Sequence, residues 1–204
     1  MIDLSRFEIH SYGHALEILE SSFPEEWAEI QHMLLNLNIP VDYITEAGGN
    51  KTKIAKMVDD LMFPRGWVEM KITGDLVIHQ YVRSGRVGAA QRLAEKQIEG
   101  YVDGHNIDFV KGRVAFDLEW NSKDQTFDRD LLAMRTYFDA GIIDVGVILT
   151  RSEDLNTLFE ELGMLQKYGA STTWLGKLLP RLDSRRNGGC PILAIGITRQ
   201  SIIE

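Results

Sequence analysis

Apolar positions along this chain follow two spacings, and the spacing changes several times. In "HALEILESS" and "PEEWAEIQHMLLNLN", Trp27, Ile30, Leu34 and Leu37 recur at three- and four-residue intervals, which predicts two amphipathic helices. Pro24 suits the first turn of the second one. "KIAKMVDDLMF" predicts a short helix that "PRG" stops. "GWVEMKI" and "LVIHQYV" predict strands separated by Thr-Gly-Asp. "GAAQRLAEKQIEGYV" reads as a helix on its Ala, Leu, Gln, Glu and Lys content. "DFVKGRVAFDLEW" reads as two strands that turn at Lys111-Gly112. "TFDRDLLAMRTYFDAG" predicts a helix with Thr126 and Asp128 as candidate caps and Gly141 at its stop. The β-branched run "IDVGVILT" predicts a central strand, "SEDLNTLFEELGML" a helix, and "PILAIGIT" a further strand.

Strands and helices alternate through the second half, so the expected fold is α/β: a mixed central β-sheet with helices on both faces. No repeat, low-complexity tract or Pro/Ser-rich linker divides the chain, and we expect one domain over residues 1–204. Composition adds little to this. An apolar fraction of 44% with four Trp is that of a folded globule, and the Trp residues are expected in its core. No run reaches the roughly 18 apolar residues of a membrane span, so no membrane partner is expected. The N-terminal stretch has no apolar signal segment. The single cysteine, Cys190, allows no internal disulfide and reads as a small buried hydrophobe. A cytoplasmic location is the expectation from these features. The net charge of −8 is unlike that of a nucleic-acid binder taken as a whole, although the sign of a cleft matters more than the sum.

Chemistry concentrates in "NIDFVKGRVAFDLEWN". Asp117 and Glu119 are two residues apart in a strand, so they share a face while Phe116, Leu118 and Trp120 take the other. A hairpin about Lys111-Gly112 would bring Asp108 alongside. Like charges on one strand face repel, so folding alone seldom selects them. Three hard oxygen donors at one end of a sheet suit Mg²⁺, which keeps several waters and takes few carboxylates. Such an ion hydrolyses phosphodiesters by lowering the pKa of a bound water and neutralising the phosphate. A solvent-facing acidic strand remains the alternative at this point.

The chain resembles the type II restriction endonucleases of the BglII and BstYI kind, within the broader PD-(D/E)xK nuclease superfamily. The resemblance is carried by "NIDFVKGRVAFDLEWN" and by "DLLAMRTYFDAGIIDVGVILTRSEDL". It returns at "FPEEWAEIQHML", "NKTK" and "PILAIGI". It implies that Asp108 and Asp117 are the first two acids of the motif and that Glu119 stands at the third position, usually Lys and in near relatives Gln or Glu. Asp rather than Glu at 117, with Glu at 119, resembles the double-acid arrangement of BamHI-like enzymes. An acid at 119 would accept a proton from water or hold a second ion. Glu69, in "GWVEM", matches a further acid or amide of the family's site.

The same resemblance implies DNA contacts. Lys51 and Lys53 stand in the loop "TEAGGNKTK", where Gly48 and Gly49 allow close approach to a backbone. Lys123 follows the motif strand, where a Lys would donate to guanine or be solvated. Ser171, Thr172 and Thr173 match a base-contacting loop, and Arg185 and Arg186 in "SRRNGG" offer phosphate contacts. His10 and His14 lack a third ligand and the zincin pattern. The implied function is a Mg²⁺-dependent, sequence-specific double-stranded DNA endonuclease that cuts within a short palindrome and leaves 5′-phosphates. It would act as a homodimer through "TFDRDLLAMRTYF", in a cell whose cognate DNA methyltransferase protects the host. A structure-specific repair nuclease of the same fold, or a DNA-binding protein that has lost catalysis, are the other readings.

Overall fold

The computed structural model of the chain describes residues 5–46 and 52–204. In chain order the elements are β1 (Phe7–Tyr12), α1 (Ala15–Ser22), α2 (Pro24–Asn36), β2 (Ile39–Pro40), α3 (Val41–Thr45), α4 (Lys53–Met62), β3 (Val68–Met70), β4 (Thr73–Val82) and β5 (Gln91–Asp103). There follow β6 (Ile107–Lys111), β7 (Val114–Glu119), α5 (Thr126–Asp139), β8 (Val145–Arg151), α6 (Leu155–Glu161), α7 (Leu175–Asp183), β9 (Ile192–Ile197) and β10 (Ile202–Ile203).

A six-stranded sheet in the order β1-β9-β8-β7-β6-β3 forms the centre. Its middle strands, β7, β8 and β9, run parallel, and β6, β3 and β1 pair antiparallel at the flanks, so the sheet is mixed as expected. The parallel pairs are joined by helical crossovers, the connection that such pairs require. Strand alternation then divides the core. Val114, Phe116, Val147, Leu149, Leu193 and Ile195 face a cluster that α1, α2, α4 and α6 cover. Ala115, Ile148, Ile192 and Ala194 face α5 and α7, where Phe127, Leu131, Met134, Leu175 and Leu178 meet them. Both faces of β8 and β9 are therefore buried, which explains their continuous apolar sequence.

Pro24 opens α2 as expected, and Gly141 closes α5 with φ +70°. At the start of α5 the position before the first turn belongs to Gln125, with no side-chain cap, so neither Thr126 nor Asp128 caps it. Trp27, Trp67 and Trp120 lie in the core, and burial pushes the Cys190 thiol up to about 12. Among the described residues no helix is long and apolar enough to cross a membrane.

One element corrects the sequence expectation. Most of "GAAQRLAEKQIEGYV", expected as a helix, belongs to strand β5, which pairs with β4 in an antiparallel ribbon outside the main sheet. Its helix-favouring side chains are exposed on the ribbon, and pairing of Leu76 with Ile98 and of Gly74 with Val102 sets the register. Propensity is a weak prior that strand pairing overrides here.

The root of the ribbon is held where Gly104 N–H donates to Ile72 O at 3.0 Å. A Cβ on Gly104 would lie 2.4 Å from that same oxygen, and main chain cannot step aside as the end of a side chain can. Gly104→Ala is therefore expected to lower unfolding stability by about 1–3 kcal/mol, as for other overpacked sites. It should also open the ribbon root to protease; denaturant melts and limited proteolysis would check both.

Candidate active site

The β6–β7 hairpin brings the acids together. Lys111 pairs with Val114 across a turn in which Gly112 takes φ +54°, a conformation that side chains other than glycine rarely adopt. Phe109 pairs with Phe116, so Asp108 comes opposite Asp117 at the far end of the hairpin. Each carboxylate is then tied to the other strand: Asp108 N–H donates to Asp117 Oδ1 at 2.8 Å, and Leu118 N–H donates to Asp108 Oδ2 at 3.2 Å. Phe116 and Trp120 enter the opposite core cluster, as the alternation requires.

Glu69, at the middle of β3, reaches the same place, where Asn106 Nδ2 donates to its carboxylate. Glu69, Asp108, Asp117 and Glu119 all line one cavity of about 400 Å³, together with Lys71, Asn106, Arg129 and Asp130. The four acids singled out in the sequence are thus brought together. Asp130 and Arg129, from the first turns of α5, were missed. The helix carrying them was foreseen, but nothing in its spacing shows which face meets the sheet.

Electrostatics sets this cavity apart from an ordinary acidic surface. Asp117, Glu119 and Asp130 are 4%, 8% and 4% exposed. Burial pushes the Asp117 carboxyl well above its ordinary range, and the neighbouring Asp108 charge adds to this. Burial raises Glu119 to about 7, with Asp108 adding and a hydrogen bond from Ser122 opposing. Asp130 rises to about 9 through burial and the charges of Asp117 and Glu119. Arg129, exposed at the rim, lowers all three.

Glu119 and Asp130 lie within hydrogen-bond reach of each other. Two ionised carboxylates cannot bond, so this contact is favourable only while one of them holds a proton. With both ionised, Asp117 Oδ2, Glu119 Oε2 and Asp130 Oδ2 are buried without a donor. A cation entering the cavity would satisfy such oxygens. Among the described residues, no three His, Cys, Asp or Glu side chains stand ready-made in a metal-binding group.

The expected DNA-contacting residues divide by position. Lys123 bridges Thr172, Asp124 N–H donates to Ser171 O at 3.0 Å, and Thr173 N–H donates to Ser122 O at 2.9 Å. The loop after β7 and the loop at 169–174 are therefore one unit beside Glu119. Lys123 and Ser171 are exposed in it, whereas Thr172 and Thr173 are buried. The unit rests on Arg151, 1% exposed, whose guanidinium donates to Thr173 O at 3.1 Å and Thr172 Oγ1 at 2.6 Å. Its planar group lies 5.2 Å from the centre of the Phe159 ring and 5.1 Å from that of Tyr168.

Lys53 pairs with Glu46 at 2.8 Å, and Lys51 lies outside the described residues, as do Gly48 and Gly49. Arg186 is engaged by Asp128, and Arg185 is exposed in a left-handed turn at φ +56°. Neither arginine lines the acidic cavity. Lys111 turns away from it to Glu29, at 2.7 Å. His10 pairs with Glu8 on β1 while His14 precedes α1, so the two share no helix face.

A mixed sheet covered by helices on both faces, with acids at the end of its central hairpin, is a PD-(D/E)xK-like nuclease fold. The chain belongs to the restriction endonuclease BglII/BglIII family, whose family model matches residues 7–197. No curated protein matches it. The family is one of restriction endonucleases, so nuclease and DNA-binding character come with membership.

Two outcomes are expected from this geometry. Asp117, Glu119 and Asp130 hold protons more tightly folded than unfolded, where carboxyls titrate near about 4. Their contribution to stability is fully present below that value and is lost progressively as pH rises from there, to about 7 for Glu119 and to about 9 for Asp130. In EDTA, denaturant unfolding should therefore show stability falling across that window, with a shallower fall in Asp130→Asn. Separately, Arg151→Lys loses the forked bonds to the 172–173 segment and should cost about 1–3 kcal/mol. Hydrogen exchange of the Thr173 amide should rise with it.

Proposed function

We propose that this protein is a Mg²⁺-dependent type II restriction endonuclease that hydrolyses double-stranded DNA within a short palindrome and leaves 5′-phosphates. One observation carries the reading: three buried carboxylates, their outer oxygens without donors, line one cavity with Asp108 and Glu69. Asp108, Asp117 and Glu119 would hold the ion, which supplies charge neutralisation on the scissile phosphate and a more acidic water. The residues of the chain do the rest. Glu119, whose carboxyl pKa is raised to about 7, is our choice of proton acceptor from the attacking water. The backbone amides of Asp108 and Leu118 hold the Asp117 and Asp108 carboxylates in place before substrate arrives. Glu69, on the strand that pairs with that of Asp108, would assist through a water or a second ion.

Family membership supports DNA as the substrate, and Lys123 and Ser171 stand exposed beside the acids for contact with base edges. A two-fold palindrome implies a two-fold enzyme, and α5 offers an outer face on which Leu132 is 60% exposed. We therefore take the enzyme to be a homodimer, and its partner in the cell to be a methyltransferase that modifies the same site. A six-base palindrome with a central GATC is our choice of site, by resemblance.

Unmethylated phage DNA incubated with the protein and Mg²⁺ should give a ladder of discrete fragments whose ends read out the site. The ladder should vanish in Ca²⁺. Asp117→Asn should slow cleavage by more than about 100-fold, since even outer-sphere changes at metal sites reach that size. Folded protein that leaves the DNA intact in both Mg²⁺ and Mn²⁺ would overturn the reading.

A further inference from the structure

The β4–β5 ribbon takes no part in the acidic cavity, yet it grows from the same end of the sheet. β3 leads into it from Met70, and β6 resumes after it at Ile107, the residue that pairs with Met70. Glu69 and Asp108 are the next residues inward on those two strands. The ribbon therefore begins at the wall of the cavity. The ten residues of β4 carry it about 33 Å outward at about 3.3 Å per residue, close to the axial length of one turn of duplex DNA.

Its charge is distributed unevenly. From Val82 to Ala94 there are three arginines, Arg83, Arg86 and Arg92, and no acid, in a chain with 30 acids and 22 Lys and Arg. Arg92 is occupied by Glu95. Arg83 and Arg86 are exposed and have no hydrogen-bond or ion-pair partner among the described residues. They flank Gly85, at φ +92°, and precede Gly88, at φ +128°, so the tip between the strands is a glycine loop rather than a packed corner. An isolated two-stranded ribbon is marginal in water, and nothing in the main sheet covers this one.

We propose that the ribbon is a clamp for the DNA backbone, with Arg83 and Arg86 at its tip contacting phosphates beyond the cut site. The proposal rests on DNA being the substrate. The contacts carry no base information, so the clamp adds affinity and register on any sequence.

The test is fluorescence anisotropy with a random-sequence duplex, full-length protein and EDTA, over a series of salt concentrations. R83A/R86A should weaken binding several-fold on every sequence and flatten the slope of log K against log salt by about 1.8 per protomer, the value for two lost phosphate contacts. R83K/R86K should keep most of the slope, and a sedimentation profile and thermal melt like those of the parent would show that the change lies in the DNA contact. Wild-type protein that binds duplex DNA while R83A/R86A matches it in affinity and slope would overturn the clamp and leave the nuclease reading intact. Loss of self-association by R83A/R86A without loss of DNA binding would also overturn it, since the exposed Val87 and Leu93 would then be serving a second copy. Wild-type protein that binds no duplex would overturn both.

Discussion

Carboxylates placed side by side away from water are unfavourable twice over, because each loses its hydration and each repels the next. This protein carries three of them, Asp117, Glu119 and Asp130, under one wall of a cavity, with Asp108 at its edge. The rest of the sheet can be understood from how that arrangement is tolerated. The hairpin ties Asp117 to the Asp108 amide and Asp108 to the Leu118 amide, and the first of these bonds favours the charged form of Asp117. Arg129 stands at the rim as counter-charge. What remains uncompensated is a set of outer oxygens with no donor, which a positive ligand would satisfy.

The opposite problem is solved a short distance away. Arg151, at the end of β8, is a buried guanidinium whose hydrogen bonds go to Thr172 and Thr173 and whose faces rest against Phe159 and Tyr168. Burial pulls its pKa down to about 10, which still leaves it charged at neutral pH. The cation organises the loop that joins the segment after Glu119, so the acid site and the exposed Lys123 and Ser171 are held by one framework. Thr172 and Thr173 serve that framework with their side chains turned inward.

The sheet delivers both arrangements to the same end. β7 and β8 run parallel, so Glu119 and Thr150 stand side by side, and Thr150 Oγ1 donates to Glu119 O at 2.7 Å. α5 leaves this end and packs back along the sheet, which places Arg129 and Asp130 against the acids in its first turns and leaves Leu132 outward. The ribbon leaves the sheet here too, between β3 and β6. Cavity, 169–174 loop, outer helix face and ribbon are therefore products of one strand order.

Sequence alone determined what depends on near neighbours. The alternation in "VAFDLEW" separates Asp117 and Glu119 from Phe116 and Trp120, and the Lys111-Gly112 turn returns Asp108 to them, because strand period and turn chemistry are local. The continuous apolar runs of β8 and β9 marked buried strands for the same reason. Tertiary structure decided what depends on a partner distant in the chain. The composition of β5 favours a helix, and only its pairing with β4 makes it a strand. Asp130 looks like any acid in a helical first turn until α5 docks against β7, and Arg151 like any surface arginine until Phe159 and Tyr168 close over it. Burial, which turns these ordinary charges into a site, is a property of the assembled layers and is written in no single stretch of sequence.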